Sequence, residues 1–407
     1  MNILYLAFAC NPYTGSEAQC GWSWAIGMRK YARVSVVTRT ENKENIQRYL
    51  QEHQITDLKV YYCDVPKSLN IYYKTKKAYH LYYLMWQKSA YSFVKELHKK
   101  ENYDIVHHVT LGDFRYLGPY WKLGVKVVFG PVGGAQLTPE VFMPYVVGEK
   151  KSENLRQWIN SFVAKAPFYR KALNNTSLVL AANQETQSFL QGCMSKPEKC
   201  VLLTENGVQT EHLEGYTEKE FSDTTTLLWS GRMVNRKGLS FLLDAIRLIP
   251  ANQKFCLILV GDGPEKCILE DKAKSLGLKE KVFFTGCVTY EEMQKFYKQA
   301  DIFVFPSLRE TTGTVLFEAM SNGLPVISFN QNGAKLLLDD SCGIRVKIDQ
   351  SLSEIQQDFA DAVLKLMEDK NLRKNMGRNA YQKIISQYVW EKKCEQFYIR
   401  YKYLKEE

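Results

Sequence analysis

The chain has 407 residues, 45% of them apolar and 24% charged, which fits a soluble globular protein and is too long for one ordinary core. It contains no apolar run of about 18 residues, the length that would cross a membrane. Its ten cysteines form no C-x-x-C pair, which argues against a disulfide framework or a zinc site and suits a reducing cytosol. Six histidines include no H-E-x-x-H, and no D-x-D occurs, so metal catalysis finds no support and no metal or other cofactor is expected. The net charge of +10 is lodged in one half: residues 1–205 carry 26 Lys and Arg against 16 Asp and Glu, whereas residues 206–407 carry 28 of each. The first half therefore favours an anionic surface or partner.

In chain order, the opening "NILYLAF" (2–8) reads as a buried strand rather than a signal peptide, because no basic segment precedes it. The loop "NPYTGSEAQCGWSWAIG" (11–27) joins it to a helix, and Gly15 would let backbone approach a bound group at that helix start. It is not G-x-G-x-x-G, so the dinucleotide fingerprint fails. Strands follow at 33–38 and 58–63. The stretch 66–100 then holds eight aromatics and eight lysines against one glutamate. That mixture suits an anionic membrane interface, and equally a helix with an aromatic core face and a lysine-rich solvent face. Strands at 104–109 and 125–129 come next, the first carrying His107 and His108, to which no general-base role is given. "FGPVGGAQ" (129–136) closes the second of these with a glycine-lined wall or a simple turn. Strands at 177–181 and 200–203 complete the first half.

Polar residues dominate 204–225, the expected hinge. A second series of strands occupies 226–230, 254–260, 281–285, 301–305, 325–328 and 343–347. Near-continuous apolar strands spaced by helices predict an α/β protein with two doubly wound parallel sheets, Rossmann-like domains facing a cleft. The expected boundaries are 1–205, 206–385, and a C-terminal helix at 386–407 packing back toward the first domain.

Three segments of the second half carry chemistry. "WSGRMVNRKG" puts Arg232 and Lys237 on the loop after a strand, where fixed cations can neutralise a departing diphosphate; a solvated basic loop is the plain alternative. "LVGDGP" runs a strand into a Gly261-Asp262-Gly263-Pro264 turn, a weak signal alone. "LRETTGTVLFEAM" spaces Glu310 and Glu318 around Gly313, with a helix expected from about Thr314 to Asn322. The amides of Gly313, Thr314 and Val315 then offer the positive end of the helix to a phosphate. Glu318, a turn inside, can accept hydrogen bonds from a ribose diol, and Glu310 can reach the other end of the ligand. Glu318 alone would be explained by the helix dipole; Glu310 and the glycine between would not.

These segments resemble the retaining glycosyltransferases of family four, which have the GT-B fold. The resemblance covers nearly the whole chain and is strongest over 226–330, where "SGRMVNRKG", "LVGDGP", "VFFTGCV", "ADIFVFPS" and "ETTGTVLFEAMSNGLPVI" occur in the family's order and spacing. "LTENGV" is similar to the family's linker, and "GSEAQCGW" and "GPVGGAQ" resemble a subgroup linked to cell-surface polysaccharide assembly. It implies metal-independent hexosyl transfer from a nucleoside-diphosphate sugar to a saccharide or lipid-linked acceptor, with no nucleic-acid partner. Arg232 and Lys237 would neutralise the diphosphate, Glu310 would contact donor-sugar hydroxyls, Glu318 the ribose, and backbone at Cys287 and Val288 the base. Ser16, Glu17, Gly133 and Gly134 would lie on the acceptor side. Many members carry a histidine where this chain has Phe129-Gly130-Pro131, a departure at the sugar. The expected location is the cytoplasm, peripheral on the inner face of the membrane. A non-catalytic nucleotide-sugar-binding subunit, or an epimerase on the same fold, would be the alternatives.

Overall fold

A computed structural model describes residues 1–15, 17–66, 79–146, 148–213 and 215–406. Ser16, and residues 67–78 of the lysine-rich stretch 66–100, lie outside them. The described chain divides into two units. The first comprises 1–135, 158–207 and 390–407, and the second 136–157 and 208–389.

Among the described residues thirteen strands alternate with helices. They are β1 (Asn2–Ala7), β2 (Arg33–Thr38), β3 (Leu58–Tyr62), β4 (Ile105–Thr110), β5 (Lys126–Val132), β6 (Leu178–Ala181), β7 (Cys200–Leu202), β8 (Thr225–Ser230), β9 (Phe255–Val260), β10 (Val282–Gly286), β11 (Ile302–Phe305), β12 (Val326–Phe329) and β13 (Gly343–Val346). Every strand expected from an apolar run is present. Their ends match within one residue, except that β5 runs on through Gly130 and Pro131 to Val132. The sheets are parallel throughout, ordered β3-β2-β1-β4-β5-β6-β7 and β10-β9-β8-β11-β12-β13. The strands β4, β11 and β12 are buried at every residue, because helices cover both faces. In each sheet the strand order reverses beside its first strand, between β1 and β4 and between β8 and β11, where open α/β sheets receive ligands.

The helices are α1 (Glu17–Met28), α2 (Lys43–Glu52), α3 (Tyr79–Glu101), α4 (Lys150–Lys165), α5 (Pro167–Asn175), α6 (Gln184–Gln191), α7 (Leu239–Ile246), α8 (Lys266–Ser275), α9 (Tyr290–Gln299), α10 (Thr314–Ser321), α11 (Asn332–Leu337), α12 (Leu352–Glu368), α13 (Lys370–Lys383) and α14 (Trp390–Glu406). Among the described residues none is long and apolar enough to cross a membrane.

In the first unit, α14 packs on α1. Trp24 meets Trp390 and Phe397 edge-on, with ring centroids 5.5 and 5.2 Å apart. In the second unit, Phe142 enters an aromatic cluster with Phe241 and Phe329, so the 136–157 segment is part of that core. Tyr145 anchors the same segment by donating to Asp244 at 2.8 Å.

His107 and His108 lie inside β4 and are buried. His107 donates from Nε2 to the carbonyl of Gly130 at 2.7 Å, which leaves Nδ1 to accept from Tyr401. His108 Nε2 sits 2.6 Å from the Tyr83 hydroxyl. Burial pushes His107 down to about 3 and His108 down to about 4, against the opposing pull of their carbonyl partners. Both are therefore neutral in the fold, while the unfolded chain takes up their protons below about 6.5. Between those values the unfolded state binds more protons, so stability falls as the pH drops from about 6.5 toward 4 and then 3. Calorimetry across that range is expected to show a falling melting temperature, with a shallower slope in His107→Gln. Equal slopes would mean that carboxylates alone set the acid limit.

Candidate functional site

The second unit gathers its polar site at the carboxyl ends of β8, β9 and β10. β8 ends at Ser230, and the chain turns through Gly231 to Arg232. Gly261 follows β9 with φ +131°, and a Cβ there would lie 1.9 Å from the carbonyl of Gly231. Only glycine permits that approach, so the G-D-G-P turn is more than a generic strand-to-helix joint. Hydrogen bonds lock it: Gly231 N donates to Val260 at 3.0 Å, and Met233 N to Asp262 at 2.8 Å.

The third wall is α10. Its N-cap, Gly313, has φ +89°, and a Cβ would lie 2.7 Å from the Phe305 ring. No side chain caps the helix, so its first amides keep the positive end of the dipole uncovered by a cap. Arg232, Gly261, Asp262, Cys287, Val288, Val315 and Glu318 all line one cavity of about 680 Å³. Tyr290 completes it, beside the base position expected at Cys287 and Val288. Arg232 and Cys287 are exposed. The buried Tyr297 donates to Glu318 Oε2 at 2.8 Å and lies 3.3 Å from Ser230 Oγ. Burial, then the Glu318 charge, pushes the Tyr297 hydroxyl well up, so it keeps the proton it donates.

Glu310 and Lys237 do not line this cavity. Lys237 forms a short ion pair with Glu310, and Arg236 reaches the same carboxylate at 3.4 Å. The Lys237 and Glu310 side chains are only 14% and 17% exposed, so the pair is mostly withdrawn from water. Burial pushes the Glu310 carboxyl up, but the charges of Lys237 and Arg236 outweigh it and hold it below the usual carboxylate range. Lys237 Nζ lies 5.9 Å from the Phe305 ring, against which Gly313 packs, so this ion cluster borders the start of α10. The preceding Arg309 pairs with Glu153 at 3.0 Å, and Gln136 donates to Thr311 at 2.9 Å. Both contacts tie the 136–157 segment to the loop that carries Glu310.

Arg236, Tyr290, Tyr297 and Glu153 are among the residues that the sequence did not single out. Arg236 stands next to Lys237 in "NRKG" and could have been weighed with it. Nothing local to Tyr297 or Glu153 marks a partner far along the chain.

The first unit carries a separate cluster. Glu17 accepts from the amide of Gly112 at 2.6 Å. Burial pushes its carboxyl up against that hydrogen bond, with Asp113 adding to the rise. Gly133 donates to Gly112 at 2.8 Å, and Gly134 accepts from Arg115 at 3.0 Å. Arg115 is held by Asp113 at 2.6 Å and by Asn160. Around Gly15 a Cβ would meet nothing within 4 Å, so its glycine answers to no packing demand. Ser16 lies outside the described residues. Among the described residues no group of three His, Cys, Asp or Glu is spaced to hold a metal ion.

Residues 217–383 match the family described as glycosyl transferases group 1. Over 365 residues the chain is 26% identical to an uncharacterised glycosyltransferase of Methanocaldococcus jannaschii, covering 83% of this chain and 87% of the relative. It is 29% identical over 171 residues to the lipopolysaccharide core biosynthesis glycosyltransferase LpsE of Rhizobium meliloti, covering 42% of this chain and 47% of that one. Among solved structures it is similar to Anabaena HepE in complex with UDP, with TM-score 0.65, 18% identity and coverage of 99% and 100% of the two chains. It is also similar to the apo lipopolysaccharide outer core galactosyltransferase WaaB, with TM-score 0.68, 14% identity and the same coverage. The fold is GT-B, with two parallel-sheet α/β units.

Proposed function

We propose that this chain, whose residues 217–383 match the group 1 glycosyl transferases, moves a hexose-type sugar from a nucleoside diphosphate to a saccharide or lipid-linked acceptor in cell-surface polysaccharide synthesis. One observation carries the reading: Arg232, Gly261, Cys287, Val288, Val315 and Glu318 converge on one cavity beside the uncapped start of α10. The UDP complex of the structurally similar HepE and the polysaccharide role in the name of LpsE agree with it.

In this mechanism the base lies against the backbone at Cys287 and Val288, and Glu318, steadied by Tyr297, accepts from the ribose. Arg232, Lys237 and the amides of Gly313, Thr314 and Val315 take the charge that grows on the departing diphosphate. Fixed donors of this kind act on charge as it develops, so they favour the transition state over the bound donor. Glu310 holds the donor-sugar hydroxyls. The sugar passes through an oxocarbenium-like state and is attacked on the face the diphosphate leaves, which retains its configuration. The leaving phosphate takes the acceptor's proton. Glu17, Gly133 and Gly134 serve the acceptor, and no metal takes part. The protein works in the cytoplasm, in peripheral contact with an anionic membrane face through 66–100.

A panel of UDP-, GDP- and ADP-sugars tests the reading, each scored for hydrolysis and thermal stabilisation with and without a chelator. One donor is expected to be hydrolysed equally in both conditions. Stabilisation without hydrolysis would instead make the chain a binding subunit, loss of hydrolysis on chelation would reveal a metal, and no response to any donor would remove the proposal.

Cys287 offers a direct probe of the pocket. It and Cys267 are the exposed cysteines among the described residues, and Cys287 alone of the two lines the cavity. N-ethylmaleimide is expected to label both, and the matching nucleoside diphosphate to slow labelling at Cys287 by about tenfold while sparing Cys267. Equal rates at Cys287 with and without nucleotide would put the base elsewhere.

A further inference from the structure

The first unit exposes an aromatic ridge that donor chemistry does not use. Trp158, Phe162 and Phe168 are 63%, 62% and 63% exposed. Trp158 and Phe162 stack on successive turns of α4, with centroids 5.6 Å apart. The opposite side of the same helices is ordinary core: Val163 and Ala166 pack against a cluster that contains the buried Tyr169, Ala172 and Leu173. Inner-face packing therefore fixes the outward direction of the rings.

Along the chain, the charge that follows them has one sign. Residues 158–184 contain Lys165, Arg170 and Lys171 and no carboxylate. Lys165 continues the Trp158–Phe162 row at helical spacing, and Lys171 follows Phe168 by three residues on α5. Lys171 also lies 6.0 Å from the Trp121 ring, which brings in the exposed Lys122.

We infer that the α4–α5 ridge is a docking surface for an anionic lipid bilayer. Trp and Phe rings enter the headgroup boundary, and lysines beside them pair with anionic headgroups, which is the composition of an interfacial helix. A second copy of the chain fits poorly, since a symmetric contact would press one basic ridge against another. This surface uses none of the residues 66–100 and does not depend on the donor reading.

The test is cosedimentation of the full chain with phosphatidylcholine vesicles, with and without phosphatidylglycerol. The chain is expected to sediment only with the anionic vesicles and to be released by salt. Trp158→Ala with Phe162→Ala, and separately Lys165→Glu with Lys171→Glu, should each lower the bound fraction by about tenfold. Both double variants should keep the wild-type melting temperature and donor hydrolysis, because these side chains are exposed and lie outside the donor cavity. The inference is overturned if the wild type stays in the supernatant, or if the aromatic variant binds like the wild type. It is also overturned if only Lys74, Lys76 and Lys77→Glu reduces binding, or if the aromatic variant merely converts an oligomer to a monomer.

Discussion

Glu310→Gln is expected to lower sugar transfer by at least about 10²-fold while nucleoside-diphosphate binding is kept or tightened. The reason lies in the resting contacts of Glu310. Lys237 and Arg236 both engage its carboxylate. If Lys237 is to meet a diphosphate, it must share or exchange that partner. Glutamine keeps the shape and one acceptor oxygen but removes the charge, which leaves the lysine freer for phosphate and the sugar hydroxyls without their anionic acceptor. Two neighbouring cations then lose their counter-charge in a largely dry place, so stability should fall by about 1–3 kcal/mol. With Glu310 held below the usual carboxylate range, the stability that its pair supplies is present above the ordinary carboxylate value and lost only as pH falls through the depressed one. Isothermal titration with the nucleotide, beside initial rates, separates the two effects. Weaker nucleotide binding with an unchanged rate constant would assign Glu310 to binding and remove its role at the sugar.

Arg232→Ala is expected to cost about 10²–10³ in transfer with the melting temperature unchanged. Arg232 is exposed at the mouth of the cavity, beside the close contact of Gly231 with Gly261, so its removal opens no core. A guanidinium can hold two phosphate oxygens at once, and lysine at 232 should recover only part of the rate. Because the charge it meets grows as the diphosphate leaves, the loss should fall on kcat more than on KM. A loss confined to KM would make Arg232 a ground-state contact, and full activity in the alanine variant would take it out of the site.

Much of this protein was legible along the chain because its sheets are parallel and covered on both sides. Such strands are short, continuous apolar runs, and "DIFVFPS" or "KFCLILV" can hardly be anything else. The cavity was legible for a related reason: its residues stand on strand ends and on one helix start, positions that glycine and helix onset mark locally. What stayed hidden depends on pairs remote in sequence. Tyr297 meets Glu318 across two helices, Glu153 meets Arg309 from the far side of the hinge, and Trp24 meets Trp390 from near the opposite end of the chain. The split between Lys237 and Arg232 was hidden as well. Spacing on one loop put both on the diphosphate, whereas in the fold the lysine is engaged with an acidic neighbour.

The insertion of 136–157 into the second unit bears on how such proteins can be recombined. A chimera joined only at the polar linker near 207 would graft the C-terminal half without Phe142 and Tyr145, and so without a wedge of its own interior. Exchange of donor specificity between relatives therefore has to transplant two stretches of gene together, the short early one along with the long late one.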